Sequence, residues 1–245
     1  MTIIIPMAGL SSRFTKAGYT LPKYMLYAVD RSLFNIAVSS FEKFFSNTRF
    51  VFVARDIFDT RRFIDSECKL LGIKSYDIVI LEKPTQGQAE TVLMGIRGAH
   101  LDANESILIF NIDTFRPGFS MPARYESWDG YLEVFKGSGS NWSYARTETG
   151  DGSRVVETAE KKEISDNCST GIYYFKTVSQ FMDAYNWGIY HTQRNEVYVA
   201  PLYNYLISHG AEIHINVINR DKVIFCGVPE EYKQYLNQLI KYTSL

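Results

Sequence analysis

Residues 2–14 read Thr-Ile-Ile-Ile-Pro-Met-Ala-Gly-Leu-Ser-Ser-Arg-Phe, a short apolar run that passes into a loop of small residues. The run from Thr2 to Ile5 is β-branched and stops at Pro6, which predicts a buried strand. Backbone N–H groups of the loop could hold a phosphate, with Arg13 as the counter-charge. A glycine and serine turn after a strand is also a common structural feature, so both interpretations stay open.

The apolar segments after this loop alternate between helical and extended patterns. Apolar side chains recur at helical spacing after an N-cap at Ser32, and again from about Ile57 until Gly72 ends the pattern. The segment 77–81 has the apolar character of a strand buried on both faces. The other predicted elements of this half are strands at 50–53 and 106–110 and a helix at 89–100. This alternation predicts an α/β fold with a doubly wound, mostly parallel, Rossmann-like sheet.

The second half of the chain has a different pattern. Strand-like segments separated by Gly, Ser, Asn and Asp turns lie at 130–135, 143–147, 154–158 and 171–175. They predict a β-rich portion that is antiparallel or mixed. Helical patterns follow at 177–187, 199–209 and 230–240, with short strands at 213–217 and 222–226. We expect one domain over residues 1–245, divided into a first half at 1–115 and a β-rich half at 116–245.

The composition is that of an ordinary globular protein. Of the 245 residues, 46% are hydrophobic and 22% are charged, which excludes intrinsic disorder, collagen and coiled coil. A formal net charge of −1 provides no basic field for nucleic acid or an acidic membrane surface, so any phosphate recognition must be local. Cys68, Cys168 and Cys226 lack zinc-motif spacing, and no apolar run has the length of a membrane span. We expect a soluble, cytoplasmic protein that binds neither nucleic acid nor membrane.

Several short motifs occur in a fixed order along the chain. They are Ala8-Gly9-Leu10-Ser11-Ser12-Arg13-Phe14, Pro22-Lys23, Gly87-Gln88-Ala89, Asn111-Ile112-Asp113, Glu160-Lys161, Ser169-Thr170-Gly171-Ile172-Tyr173 and Gly227-Val228-Pro229-Glu230-Glu231. In this order and spacing they resemble the nucleotidylyltransferases that activate sugar phosphates and related phosphorylated metabolites. The resemblance covers most of the chain and extends to small cytidylyltransferase-type enzymes of capsule clusters, some of which act on phosphocholine or phosphoglutamine.

The resemblance implies a reaction and a role for each motif. A phosphate oxygen of an acceptor would attack the α-phosphorus of a nucleoside triphosphate and release pyrophosphate. Arg13 would hold the leaving phosphates, Lys23 would neutralise charge at the α-phosphate, and Asp113 would hold magnesium. The nucleotide would lie on Ala8, Gly9, Leu10, Ser11, Ser12, Glu82, Gly87, Gln88 and Ala89, and the acceptor on Glu160, Lys161, Thr170 and Gly171. Residues 1–115 would then be the nucleotide-binding half and 116–245 the acceptor-binding half.

Asp113 is also a candidate on the residue pattern alone. It follows the apolar run 107–110 closely, at the end of a predicted strand, where open α/β sheets bind ligands. Magnesium prefers one or two carboxylates together with phosphate oxygens, although a helix N-cap would explain an aspartate there equally well. Many relatives carry a second metal-binding Asp where this chain has Phe225, and Asp221 in a neighbouring turn is the candidate substitute.

The choice of base depends on Glu82. In relatives that use UTP or dTTP the corresponding position is often a Gln, five residues before the loop glycine, here Gly87. A carboxylate only accepts hydrogen bonds, so it suits the exocyclic amine of cytosine or adenine and repels the O4 carbonyl of uracil or thymine. This favours CTP, with ATP second. A surface charge at the end of a strand is the alternative explanation for Glu82.

Together these observations predict a magnesium-dependent nucleotidylyltransferase, with CTP as donor, that makes a precursor for capsule or another surface polysaccharide. Its acceptor would be a phosphorylated small molecule such as phosphoglutamine or phosphocholine. The alternatives are a UTP- or dTTP-dependent sugar-1-phosphate nucleotidylyltransferase, a glycosyltransferase, and a non-catalytic nucleotide-binding regulator. A glycosyltransferase would normally show an Asp-x-Asp pair, whereas this chain has Asn111 at the first position. The aromatic content permits a homodimer interface without requiring one.

Overall fold

The computed structural model describes residues 1–149, 152–191 and 196–243, within which the central element is a nine-stranded β-sheet. The strands are β1 (Thr2–Pro6), β2 (Tyr27–Ala28), β3 (Arg31–Ser32), β4 (Arg49–Arg55), β5 (Ser75–Leu81), β6 (Ile107–Phe110), β7 (Thr114–Phe115), β8 (Gly130–Lys136), β9 (Ser143–Thr147), β10 (Val155–Glu160), β11 (Asn167–Phe175), β12 (Ile213–Ile218) and β13 (Ile224–Phe225). The α-helices are α1 (Ser12–Lys16), α2 (Leu33–Val38), α3 (Thr60–Leu71), α4 (Gln88–Gly98), α5 (Val178–His191), α6 (Tyr203–Ser208) and α7 (Pro229–Thr243).

The first half of the sheet is parallel and is covered by helices on both faces. Strands β6, β1, β4 and β5 are neighbours in that order, and each adjacent pair is parallel, which confirms the doubly wound arrangement. Side chains alternate between the two faces of a strand. Ile3 and Ile5 belong to an apolar layer with side chains of α2, α3 and α7, whereas Ile4 belongs to a layer with α4, α5 and α6. Each of these isoleucines, fully buried, contributes about 1.5–3 kcal/mol to folding.

The second half extends the same sheet with strands of mixed direction. Strand β11 runs antiparallel to β6 and to β8, and β9 pairs with both β11 and β10 in antiparallel fashion. Strand β12 is parallel to β8. The prediction of an antiparallel or mixed β-rich portion is therefore confirmed, and β11 is the strand that joins the two halves. Its pairing register with β8 shifts between Ser169 and Tyr173, around Gly171 at a φ of 92°.

Several details differ from the predicted elements. Strand β5 is parallel as expected, but it lies at the edge of the sheet, so its side chains are half-buried rather than buried on both faces. Ser32 does cap α2 by accepting a hydrogen bond from the backbone N of Asn35, but after Val38 the helix tightens into a 3-10 helix over Ser39–Phe44. The segment predicted as a helix at 199–209 is likewise a 3-10 turn followed by α6.

In the described part of the chain, two separate two-stranded sheets accompany the main sheet, one of β2 and β3 and the other of β7 and β13. Strands β7 and β13 form an antiparallel pair, which places the end of the chain beside the segment that follows β6. Helix α1, a single turn, follows the loop after β1 and was not predicted. No helix in the described part of the chain combines the length and apolar character needed to cross a membrane.

Candidate active site

A cleft lies beyond the carboxyl ends of β1 and β6, where open α/β sheets bind their ligands. It consists of two adjoining cavities of about 450 and 470 Å³. The first, here named the loop-side cavity, is lined by the loop after β1 and by Pro84, Thr85 and Gly87. The second, the β-side cavity, is lined by residues of the β-rich half, among them Trp142, Glu160, Lys161, Thr170 and Gly171. Lys23 and Asp113 line both cavities, so they mark the border between them.

Lys23 and Asp113 form an ion pair at this border. The Nζ atom of Lys23 donates to Oδ2 of Asp113 at 2.6 Å, and the two side chains are 21% and 29% exposed. Asp113 is held between β6 and β7, and its carbonyl accepts a hydrogen bond from the backbone N of Cys226 at 2.8 Å. Burial raises the pKa of Asp113, but the charges of Lys23 and Arg13 outweigh it and keep the carboxyl ionised. The site therefore pairs a fixed carboxylate with a cation.

The loop after β1 forms one wall of the cleft. Ala8, Gly9, Leu10, Ser11 and Ser12 all line the loop-side cavity, and Arg13 lines the β-side cavity. Ser11 adopts the left-handed conformation at a φ of 51°. Holding a residue with a side chain there costs roughly 1–2 kcal/mol.

The segment around Gly87 forms the floor of the loop-side cavity. Gly87 has a φ of 132°, and a Cβ at this position would lie 2.7 Å from the carbonyl oxygen of Val197. Only glycine allows this close approach. Gln88 lines both cavities and donates to Oδ1 of Asn111. Ala89 is buried and holds the segment in place through its backbone N, which donates to the carbonyl oxygen of Val197 at 3.1 Å.

The predicted acceptor residues come together in the β-side cavity. Glu160 ends β10 and accepts a hydrogen bond from Ser143. Lys161 follows at a φ of 56°, and its Nζ donates to the hydroxyl of Tyr198 at 2.7 Å. Thr170 and Gly171 lie on β11, and a Cβ on Gly171 would be 2.5 Å from Nδ2 of Asn111. The close packing explains why a glycine faces Asn111.

Three predicted residues line neither cavity, namely the buried Ala89 and the exposed Glu82 and Asp221. Glu82 follows β5 directly, is exposed, and lines neither cavity, because the chain enters the cleft only at Pro84. Asp221 lies in the 3-10 turn Arg220–Lys222, where it too is exposed and away from both cavities. Phe225, four residues further along the chain, lines the β-side cavity. The structure thus does not bring Asp221 to Asp113.

Other polar residues of the cleft were not singled out from the sequence. Glu196 lines both cavities, and Ser143 lines the β-side cavity. Glu231 also lines the β-side cavity, and its carboxylate accepts hydrogen bonds from the backbone N atoms of Gly227 and Val228 at 2.7 and 3.2 Å. Glu231 belongs to the last motif, which offered a signal for it, whereas no local pattern marks Glu196 or Ser143.

The residues of the cleft could hold magnesium only if a bound ligand supplied the remaining oxygen ligands of the metal. Asp113 provides one ionised carboxylate in a half-buried position. Among residues 1–149, 152–191 and 196–243 there is no cluster of three or more His, Cys, Asp or Glu side chains placed to hold a metal. Magnesium commonly binds through one or two carboxylates plus phosphate oxygens. Asp113 fits that mode of binding, in which most of the coordination comes from phosphate and water.

Comparison with solved structures gives a clear relationship. A nucleoside-diphosphate-sugar pyrophosphorylase from Vibrio cholerae RC9 shares 48% sequence identity and superposes with a TM-score of 0.93, over 96% of this chain and 99% of that one. The inositol-1-phosphate CTP transferase from T. maritima shares the fold, with a TM-score of 0.72 at 16% identity over 96% and 93% of the two chains. A putative glucose-1-phosphate thymidylyltransferase from Bacillus anthracis also shares the fold, with a TM-score of 0.73 at 15% identity over 97% of this chain and 94% of that one.

The fold and the relationship define the class of protein. The Rossmann-like sheet is shared with the neighbouring structures, and the 48% identical neighbour is a nucleoside-diphosphate-sugar pyrophosphorylase. The chain belongs to the nucleoside-diphosphate-sugar pyrophosphorylase family. The sequence matches no protein-family model, and a search of curated proteins found no match. The nucleotidylyltransferase resemblance of the motifs is thereby confirmed at the level of the family.

Proposed function

We propose that the protein transfers a nucleotidyl group from a nucleoside triphosphate, with CTP as the donor, to a phosphorylated small molecule. A phosphate oxygen of the acceptor attacks the α-phosphorus, the bond from that phosphorus to the bridging oxygen breaks, and pyrophosphate leaves. The position of Lys23 and Asp113 at the border of the two cavities supports this most directly. The border is where a triphosphate in one cavity would meet an acceptor in the other.

The chain's own residues then act by position and charge. The nucleophile is already an anion, so no general base is required, and catalysis depends on alignment and on neutralising phosphate charge. Lys23 is proposed to neutralise charge at the α-phosphate, Arg13 to hold the leaving phosphates, and Lys161 to bind the acceptor's phosphate. Asp113 would hold magnesium, which supplies electrostatic stabilisation of the phosphates when it is bound.

The choice of CTP is the finer part of this proposal and depends on Glu82. Its carboxylate would accept a hydrogen bond from the amine of cytosine. Glu82 is two residues before Pro84 in the cleft wall, and the fold is shared with an inositol-1-phosphate CTP transferase. One observation favours a second candidate, a UTP- or dTTP-dependent enzyme acting on a sugar phosphate: Glu82 does not line the loop-side cavity. Phosphoglutamine and phosphocholine are the acceptors proposed with CTP.

Thermal unfolding with each triphosphate tests the donor. A ligand that binds only the folded protein stabilises it by RT ln(1 + [L]/Kd), so the preferred triphosphate gives the largest rise in melting temperature. With magnesium present, we expect CTP to exceed UTP, dTTP, ATP and GTP, and Glu82→Gln to remove that preference. A larger rise with UTP or dTTP in the unmodified protein would replace CTP by the second candidate.

Pyrophosphate release tests the transfer itself. The assay combines the preferred triphosphate with glucose 1-phosphate, phosphocholine or phosphoglutamine in turn. Acceptor-dependent release is expected. Binding of a triphosphate without release for any phosphorylated acceptor would instead indicate a nucleotide-binding regulator, and release of nucleoside diphosphate from a nucleotide sugar would indicate a glycosyltransferase.

A further inference from the structure

We propose that Tyr198, oriented by Glu196, is a positioning residue that holds the ammonium group of Lys161 in place for the acceptor's phosphate. This inference rests on the proposed role of Lys161 in the transfer reaction. It adds a specific pair of side chains, Glu196 and Tyr198, to the proposed acceptor site. The two residues lie on the segment 196–198, here named the strap, which precedes the 3-10 turn Ala200–Leu202.

A chain of hydrogen bonds connects the strap to Lys161. The Nζ atom of Lys161 donates to the hydroxyl oxygen of Tyr198 at 2.7 Å, and that hydroxyl donates in turn to Oε2 of Glu196. The ammonium group also lies 4.6 Å from the centre of the Tyr198 ring, a cation–π distance. Glu160 is at 4.0 Å from the same nitrogen. Tyr198 thus makes the closest contact to the ammonium group, with its hydroxyl and its ring.

The backbone of Lys161 is fixed, but its ammonium group needs a further contact to be held in place. Lys161 has a φ of 56°, in the left-handed region. Residues with a side chain adopt this conformation only at a cost in free energy, and surrounding contacts must hold them there. Its backbone N donates to the carbonyl oxygen of Trp142 at 2.9 Å, which fixes the turn. A lysine side chain carries four flexible bonds, so fixing its backbone leaves the ammonium group free to move. The contact with Tyr198 removes that freedom and keeps the charge on the β-side cavity.

The strap itself is fixed by the opposite side of the cleft. The backbone N of Val197 donates to the carbonyl oxygen of Gln86 at 3.0 Å, and the carbonyl of Val197 accepts from the backbone N of Ala89 at 3.1 Å. The strap therefore bridges the Gly87 segment of the loop-side cavity and Lys161 of the β-side cavity. Burial and the hydrogen bond to Glu196 raise the pKa of Tyr198, so its hydroxyl keeps the proton that it donates.

Binding of inorganic phosphate, measured by calorimetry, tests the proposal without an identified acceptor. The variants are Tyr198→Phe, Lys161→Ala and the two combined, with Tyr27→Phe as control, since Tyr27 is exposed and lies outside both cavities. Because the Tyr198 hydroxyl acts on phosphate only through Lys161, its loss should weaken phosphate binding by about three- to tenfold, the effect of losing an ordinary hydrogen bond. We expect this loss for Tyr198→Phe in the natural background and no further loss when Lys161 is already alanine. Triphosphate affinity and melting temperature should match those of Tyr27→Phe.

The other outcomes contradict the proposal in distinguishable ways. Unchanged phosphate affinity in Tyr198→Phe, or an equal loss in the Lys161→Ala background, would show that Tyr198 does not act through Lys161. Phosphate binding that does not depend on Lys161 would show that this lysine does not bind the phosphate, which would overturn the inference. In that case, pyrophosphate release by the unmodified protein reports separately whether the proposed transfer reaction stands, because release does not require that this lysine hold the phosphate.

Discussion

The Nζ atom of Lys23 lies 2.6 Å from Oδ2 of Asp113, at the border between the two cavities of the cleft. The two residues are far apart in the chain, and they meet because the loop after β1 and the segment after β6 leave neighbouring parallel strands at the same edge of the sheet. Each side chain of the pair compensates the charge of the other. A bound triphosphate would give Lys23 a second anionic partner beside Asp113.

Removal of the Lys23 side chain should therefore affect turnover more than binding of the triphosphate. For Lys23→Ala we expect a loss of about 100- to 1,000-fold in kcat, the size seen when one group that stabilises developing charge is removed. Steady-state pyrophosphate release gives the value. Lys69→Ala is the matched control, because Lys69 is an exposed lysine on α3. Equal kcat values for the two variants would mean that Lys23 has no part in the chemistry.

The two aspartates proposed from the sequence should behave differently. Asp113→Asn keeps the size of the side chain but removes its charge, so we expect a loss of roughly 100-fold or more in kcat. Asp221→Asn should retain full activity, since Asp221 is exposed and lies outside the cleft. Titration of Mn²⁺ binding in the presence of triphosphate provides an independent readout, in which only Asp113→Asn should lose affinity. A comparable defect in Asp221→Asn would restore a metal-binding role for Asp221.

Gly87→Ala should damage the protein through a steric contact. The added Cβ would lie 2.7 Å from the carbonyl oxygen of Val197, and the φ of 132° is unfavourable for alanine. Gly72→Ala is the control, because Gly72 also has a positive φ, of 74°, but its Cβ would meet nothing within 4 Å. We expect Gly72→Ala to cost about 1–2 kcal/mol of unfolding free energy and Gly87→Ala clearly more. Urea denaturation measures both, and only Gly87→Ala should also raise the KM values.

The ion pair of Arg116 and Glu133 should be important for stability. Their side chains are 10% and 0% exposed, the Nε atom of Arg116 lies 2.9 Å from Oε1 of Glu133, and Thr170 donates to the same oxygen. Removing one partner of a buried pair leaves an uncompensated charge, so Glu133→Ala should lose about 3–5 kcal/mol.

The exposed pair of Lys136 and Asp166 serves as the comparison in the same denaturation experiment. For Lys136→Ala we expect a loss of at most about 1 kcal/mol, because solvent screens the interaction. Losses of similar size in Glu133→Ala and Lys136→Ala would argue that burial does not govern the energy of the Arg116–Glu133 pair.

Local patterns in the sequence were sufficient for most of the fold. β-branched runs and helical spacing identified β1, β4, β6 and α3, because each of these elements buries a periodic apolar face. The edge position of β5 could not be predicted, since the sequence of a strand does not state which neighbours it will have. The left-handed conformation of Ser11 was also missed, because serine carries no preference for it.

Some residues of the candidate site could likewise be predicted from the sequence, and others could not. Asp113 was identified because the end of a strand is a local feature, and Gly87 because its segment resembles a family motif. Glu196 had no such marker, since it reaches the cleft only through backbone pairing of Val197 with Gln86 and Ala89. For Glu82, counting back from Gly87 predicts a contact with the base, whereas the side chain is exposed and the chain turns into the cleft only at Pro84.

The most direct test of the account is acceptor-dependent release of pyrophosphate from a nucleoside triphosphate. Purified protein is incubated with magnesium, each triphosphate and each phosphorylated acceptor, and pyrophosphate is measured with an enzyme-coupled assay. The proposed transfer reaction predicts release with CTP and at least one acceptor, and near-complete loss of that release in Lys23→Ala. Triphosphate binding by a folded protein with no pyrophosphate release for any acceptor would contradict it.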